Sequence, residues 1–204
     1  MALAVIALLF TGETGNGFYD WHRLIGEVVL GLLVFRLCWG VVGSSNVRLS
    51  ALVSNPLSAL SHLRAFARRE PDHERGHNPA GAWAALILLL LLAVQAVTGL
   101  FIADEDELVE GAFYASVNSS TAEWLLHVHH TNAMFIQIAV AIHVVMVFAY
   151  LLYAKQNLIA AMITGRKRFS NDVTLPSLKV GSTVLGAVIA LVSFAAMALL
   201  FNWF

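Results

Sequence analysis

The chain alternates between long apolar blocks and short polar connections. Four blocks reach the roughly 20 residues that a helix needs to cross a bilayer. They run approximately over Tyr19–Val42, Asn78–Ala103, Ala122–Tyr153 and Val180–Phe204. A fifth block, "MALAVIALLF", is only about half the spanning length. The pattern predicts an all-α integral membrane protein, one helix bundle with no separate soluble domain. Local signals agree. Asn78–Pro79 is an N-cap followed by proline at the first helical position. "NPLSALSHLRAFARRE", from Asn55, reads as a short capped helix with an arginine-rich face lying at a membrane interface, with His62 an interfacial residue of no special chemistry. In "MITGRKRF", glycine and a basic cluster end the span that begins near Ala122. Trp21, Trp39, Trp83 and Trp203 lie near segment ends, as aromatic belts do.

Composition sharpens this picture. Of 204 residues, 59% are hydrophobic and only 12% charged, against about 25% charged in a soluble domain. The net charge of −1 hides a sharp sorting of the connections. Residues 44–76 carry Arg48, Arg64, Arg68, Arg69 and Arg75, and residues 154–179 carry Lys155, Arg166, Lys167, Arg168 and Lys179. The other two connections are acidic: Glu13 and Asp20 in one, "DEDELVE" in the other. The positive-inside rule makes the two basic loops cytoplasmic and places the acidic ones outside. The expected location is the bacterial inner membrane, multi-pass. Cys38 is the single cysteine. It can form no intrachain disulfide, no CxxCH is present for covalent haem attachment, and Cys38 reads as a small packing residue. The first ten residues lack the basic n-region and the cleavage site of a signal peptide. No internal repeat or low-complexity tract is present.

Histidines stand out against this background. "WLLHVHHTNAMFIQIAVAIHVVMVF" holds His127, His129, His130 and His143 and no charged side chain. Ionisable residues within spans are rare and usually functional. His129 and His143 are 14 residues apart, which puts them within about 40° of one helix face and about 21 Å apart along the axis. Two imidazoles, one near each membrane surface, suit an electron path better than a single metal centre. His22 opens the candidate span Tyr19–Val42, and Gly26 lies one turn further on the same face, leaving room for a flat macrocycle. Arg36, 14 residues after His22, reads either as a partner for a haem propionate or as a snorkelling interfacial arginine. His127 and His130 point to other faces, with second-shell or quinone contact as their functional alternative. His77, in "GHNPAG", reads as a capping or propionate-contacting residue. Glu27 either moves protons or hydrogen-bonds a neighbouring helix.

Together these residues resemble the prokaryotic cytochrome b561 family, which includes the cytochrome b subunits of membrane-bound nickel–iron hydrogenases. The resemblance covers the chain to Phe169. It rests on "WHRLIGEVVLGLLVFRLCWG", "GHNPAGAWAAL", the pair His129 and His143 with Asn132 between them, and "NLIAAMITGRKR". It implies a four-helix core holding two haem b groups, each between two histidines. Carried over, His22 and His129 hold the outer haem iron and His143 the inner one, with Arg36, Gly26 and His77 as further cofactor contacts. The family's first helix begins with a histidine that supplies the second inner ligand. This chain starts in what resembles the outer half of that helix, so the natural start is expected upstream and the inner haem is in doubt here. Residues 1–169 are then the haem-binding domain. Residues 170–204 form a cytoplasmic linker and an extra C-terminal transmembrane helix, for packing or partner contact.

The function implied is transmembrane electron transfer between the quinone pool and a redox partner such as a cytochrome c or a hydrogenase-type subunit, as the membrane anchor of a respiratory complex. Any enzymatic role is as a quinol oxidoreductase subunit, and no nucleic-acid partner is expected. The alternative is a haem-free carrier of transition metals or protons using the same histidines. The charge sorting makes a direct prediction. Single cysteines at Arg69 and Lys167 should resist an impermeant thiol reagent added to intact cells, and one at Glu107 should react. Labelling of position 167 from outside would invert the topology.

Overall fold

The computed structural model describes residues 1–14, 16–70, 74, 76–104, 109–165 and 179–203. Within them lie seven α-helices: α1 (Ala2–Glu13), α2 (Tyr19–Val42), α3 (Pro56–Ala67), α4 (Pro79–Gly99), α5 (Ser119–Leu152), α6 (Leu158–Thr164) and α7 (Thr183–Leu200). One antiparallel pair, β1 (Ala103–Asp104) and β2 (Val109–Glu110), follows α4. Helices α2, α4, α5 and α7 are long and apolar enough to cross a membrane. Glu107, Arg75, the basic cluster Arg166–Arg168 and the domain boundary expected at residues 169 and 170 lie outside the described residues.

Helix limits follow the local chemistry. Asn78 Oδ1 accepts from Gly81 N at 2.7 Å, so Asn78 caps α4. Asn118 Oδ1 accepts from Thr121 N at 2.8 Å, which starts α5 a few residues before the apolar block. The helix also stops earlier than the basic cluster suggested. It ends at Leu152, and Gly165, at φ 67°, instead closes the separate helix α6, capped at its start by Asn157.

The chain divides into two compact units. The first contains residues 1–38, 89–137 and 183–204. Its interior holds an unusual share of polar side chains: Thr11, Glu27, Thr98, Asn132 and Ser193 are all buried. Apolar side chains of the same spans point outward instead. Leu191 is 72% exposed and Leu90 58%. A water-soluble monomer does not present apolar faces on this scale. In hydrocarbon the arrangement is the expected one, because polar groups must find partners inside the bundle. Asn132 Nδ2 donates to the Leu91 carbonyl at 2.9 Å and to Gln95 Oε1 at 2.6 Å, joining α5 to α4. Trp203 Nε1 donates to Glu27 Oε2 at 2.7 Å, and Arg23 lies 3.6 Å from the other carboxylate oxygen. Glu27 therefore takes the bonding role, tying the C-terminal segment to α2.

The second unit contains residues 39–88 and 138–182. Here α3 is fastened to the end of α5. His62 Nε2 lies 2.8 Å from the Tyr150 hydroxyl, which also accepts from Asn78 Nδ2 at 3.2 Å. Tyr153 donates to the Ala67 carbonyl at 2.7 Å, and the Arg69 guanidinium stands over its ring. His62 is thus a tertiary tether, a role its place on an amphipathic helix did not reveal. Cys38, in α2, is exposed and is not a packing residue.

Packing of α7 on α2 depends on Gly31. A Cβ at that position would lie 3.2 Å from both Met197 Cγ and Phe194 Cε1. Gly31→Leu should therefore destabilise the protein by about 1–3 kcal/mol, the usual cost of overpacking, measured by reversible unfolding in mixed micelles. Unchanged stability would show that α7 does not pack there.

Candidate functional site

His22 lies in the first turn of α2 and His129 in α5, both in the first unit. Their ring centroids are 6.4 Å apart and their planes are inclined by 72°. Thr11 in α1 faces the first ring, with its Oγ1 3.0 Å from His22 Nδ1. Thr98 in α4 faces the second, with its Oγ1 3.0 Å from His129 Nδ1.

The direction of these bonds follows from counting protons. A threonine hydroxyl has one hydrogen to donate. Thr11 gives it to the Ala7 carbonyl at 2.8 Å and Thr98 to the Val94 carbonyl at 2.8 Å. Each hydroxyl then meets the facing imidazole as an acceptor, so Nδ1 carries the ring hydrogen. Both imidazoles are thereby held as the same tautomer, with the Nε2 lone pair free to bind a metal.

Two cavities border the pair. One, of about 270 Å³, is bounded by Val5, Leu8, Gln95, His130 and Ile136, together with both histidines. The other, of about 90 Å³, is bounded by Gly26, Glu27, Gly99, Leu100 and Ala112, again with both histidines. The segment after α4 folds back over them. Its return is possible because residue 111 is glycine: a Cβ there would stand 2.5 Å from the Gly99 carbonyl oxygen. Gly111 N bonds Ile102 O at 2.8 Å, and Phe113 N bonds Leu100 O at 2.7 Å. Tyr19, which borders both cavities, pins this cover. Its hydroxyl donates to the Glu110 carbonyl and accepts from Glu110 N at 3.1 Å.

Other expected site residues divide. Gly26 borders the smaller cavity, and a Cβ on it would meet nothing within 4 Å, so the space expected beside it is present. Arg36 Nη1 is buried without a hydrogen-bond partner among the described residues. His77 is exposed. His143 lies in the second unit, half-buried, and the described residues pair it with no second histidine. His130, expected to point away, instead sets its ring 6.4 Å from that of His129 and borders the larger cavity. His127 is exposed, so the histidines of "HVHH" do not converge, and among the described residues no group of three His, Cys, Asp or Glu side chains is placed to hold a metal ion.

Thr11, Thr98, Tyr19 and Gln95 were not evident from the sequence. The Thr–Gly dipeptide that carries the two threonines also occurs at Thr14 and Thr164, so it is no signal by itself.

Haem b fits this arrangement. Two imidazoles that would together hold one iron must have their ring centres separated by two metal–nitrogen bonds, each about 2.0 Å, plus the depth of each ring. The observed spacing, the shared tautomer and the cavity space bordering both rings agree with that requirement. A family model described as prokaryotic cytochrome b561 matches residues 1–165. No curated protein and no solved structure matches the chain.

The tyrosine pin can be tested alone. Tyr19→Phe removes both bonds to Glu110, and a hydrogen bond contributes about 1 kcal/mol. Exchange of the Glu110 amide hydrogen should accelerate by roughly fivefold or more. An unchanged rate would mean that the cover is held by other contacts.

Proposed function

The chain belongs to the prokaryotic cytochrome b561 family, and from that premise we propose that His22 and His129 are the two axial ligands of one haem b in a protein that carries electrons across the membrane. Family membership itself implies haem b and transmembrane electron transfer, in a multi-pass membrane protein. The observation that carries the ligand assignment is the 6.4 Å spacing of two imidazoles whose Nδ1 atoms are both engaged. When bound, the haem supplies a one-electron carrier.

The chain's own residues set the conditions for that chemistry. With both histidines holding it, the iron would keep no open position for oxygen. Val5, Leu8, Leu92 and Ile136 give the cavity an apolar wall, alongside polar lining from Glu13, Gln95 and Gln137. The threonine hydroxyls orient the imidazoles. Arg36 is the candidate partner for a propionate, supported by its unsatisfied Nη1. His143 is the candidate ligand of a second haem, and His77 a candidate contact near that group, both on the family resemblance. Quinone or quinol and a redox partner protein, such as a cytochrome c or a hydrogenase-type subunit, are the proposed electron donors and acceptors in a respiratory chain. The proposed setting is the bacterial inner membrane, with residues 44–76 and 154–179 in the cytoplasm.

Haem content tests the assignment. His22→Ala and His129→Ala should each remove one haem equivalent from the purified protein, read from the dithionite-reduced absorbance spectrum. The lost fraction should be the low-spin one. Full haem content with an unaltered spectrum in both variants would falsify the ligand pair.

A further inference from the structure

One local arrangement occurs twice around the histidine pair. In α1, Thr11 precedes Gly12; in α4, Thr98 precedes Gly99. Each threonine donates to the carbonyl four residues back at 2.8 Å and lies 3.0 Å from Nδ1 of an imidazole on another helix. Each glycine lies against the same ring. A Cβ on Gly12 would stand 3.2 Å from His22 Cε1, and one on Gly99 would stand 3.0 Å from His129 Cε1. Carbon atoms in contact prefer about 3.5–4.0 Å, so any side chain at either position would displace the imidazole. The two copies sit on different helices and serve rings from two further helices. Four elements thus converge on one axis through the same two-residue step.

We propose that Thr11–Gly12 and Thr98–Gly99 are paired positioning steps, each fixing the hydrogen and the depth of one axial imidazole. The proposal rests on the reading that His22 and His129 hold one haem iron. The threonine oxygen keeps the ring hydrogen on Nδ1 and sets the ring's rotation about its axis. The glycine lets the ring lie against the helix backbone, which sets how far Nε2 reaches toward the metal. Accepting the Nδ1 hydrogen also leaves more electron density on Nε2, a stronger donor to the oxidised metal. Loss of either hydroxyl should therefore loosen the haem and raise its midpoint potential. Loss of either glycine should turn or push the ring with the hydroxyl still present.

The test uses the full chain carrying haem. Thr11→Val and Thr98→Val remove the hydroxyl at nearly constant shape, Thr11→Ser and Thr98→Ser restore it, and Gly99→Ala adds the obstructing methyl. Three quantities are read: haem affinity, midpoint potential, and the g values of the low-spin ferric signal, which respond to the angle between the axial ring planes. The valine variants should bind haem about 10-fold more weakly, as outer-shell losses do, with a raised potential and shifted g values. The serine variants should return all three to the parent values, and Gly99→Ala should shift g alone or together with affinity. Should Thr98→Val fail to accumulate in the membrane, Thr98→Cys, which removes the oxygen acceptor at similar size, takes its place. Valine variants with parental affinity, potential and g values would overturn the inference while leaving the ligand pair intact, provided His129→Ala still loses its haem. If His129→Ala keeps a low-spin haem, the ligand pair is wrong and the positioning steps fall with it.

Discussion

A hydroxyl has one proton, and in a membrane helix the carbonyl one turn back takes it. That commitment makes Thr11 and Thr98 acceptors toward whatever they face, and what they face is an imidazole in each case. In water such a bond would be one option among several, with solvent ready to replace either partner. In hydrocarbon no replacement exists, and an unmatched polar group costs several kcal/mol. The bonds therefore fix more than their modest individual strengths suggest. They settle which ring nitrogen keeps its lone pair, where that lone pair points, and so what the space between the two rings is able to hold.

The same rule organises the rest of the first unit. Its buried polar side chains act as cross-braces between elements: Asn132 to α4, and Glu27 to the indole of Trp203 beyond α7. Between these braces apolar contacts fill space without choosing partners, since lipid tails solvate leucine as well as another helix does. Small residues decide the close approaches. Gly31 admits Phe194 and Met197, and Gly111 lets the segment after α4 return across its own end. Tyr19 then closes the cover with two bonds to one residue. The cavities are defined by these few specific contacts, and their apolar walls are interchangeable by comparison.

The apolar blocks and the loop charges made the fold class readable from the sequence. Hydrophobic length alone marked all four spans, and for α2 the limits match to the residue, Tyr19–Val42. His22 and His129 were legible too, because an imidazole in a span stands out. Their supporting residues were not. Threonine and glycine are ordinary in membrane helices, and the Thr–Gly step occurs four times in this chain. What distinguishes Thr11 and Thr98 is an imidazole more than ten residues away in sequence, a tertiary fact without local signature. His130 and His62 were misjudged for a related reason. Helical phase gives the direction of a Cβ, yet a long planar side chain reaches neighbours that lie well off that direction, as His62 reaches Tyr150.

The placement of the two glycines follows from helix energetics. Glycine in a helix interior costs about 1 kcal/mol relative to alanine, and the cost is least where the helix is already ending. Gly12 is the penultimate residue of α1 and Gly99 the last of α4. Each threonine, one residue earlier, still has a full turn of helix behind it and so a carbonyl to receive its proton. Moved several residues inward, the pair would put glycine in the middle of a short helix. Moved outward, the threonine would lose the regular backbone that commits its hydrogen. The end of a helix is where one step can both fix a ring's proton and leave room for the ring. An imidazole supported in this way from each of two helix ends can be held to one tautomer and one depth without a water molecule or a charged group.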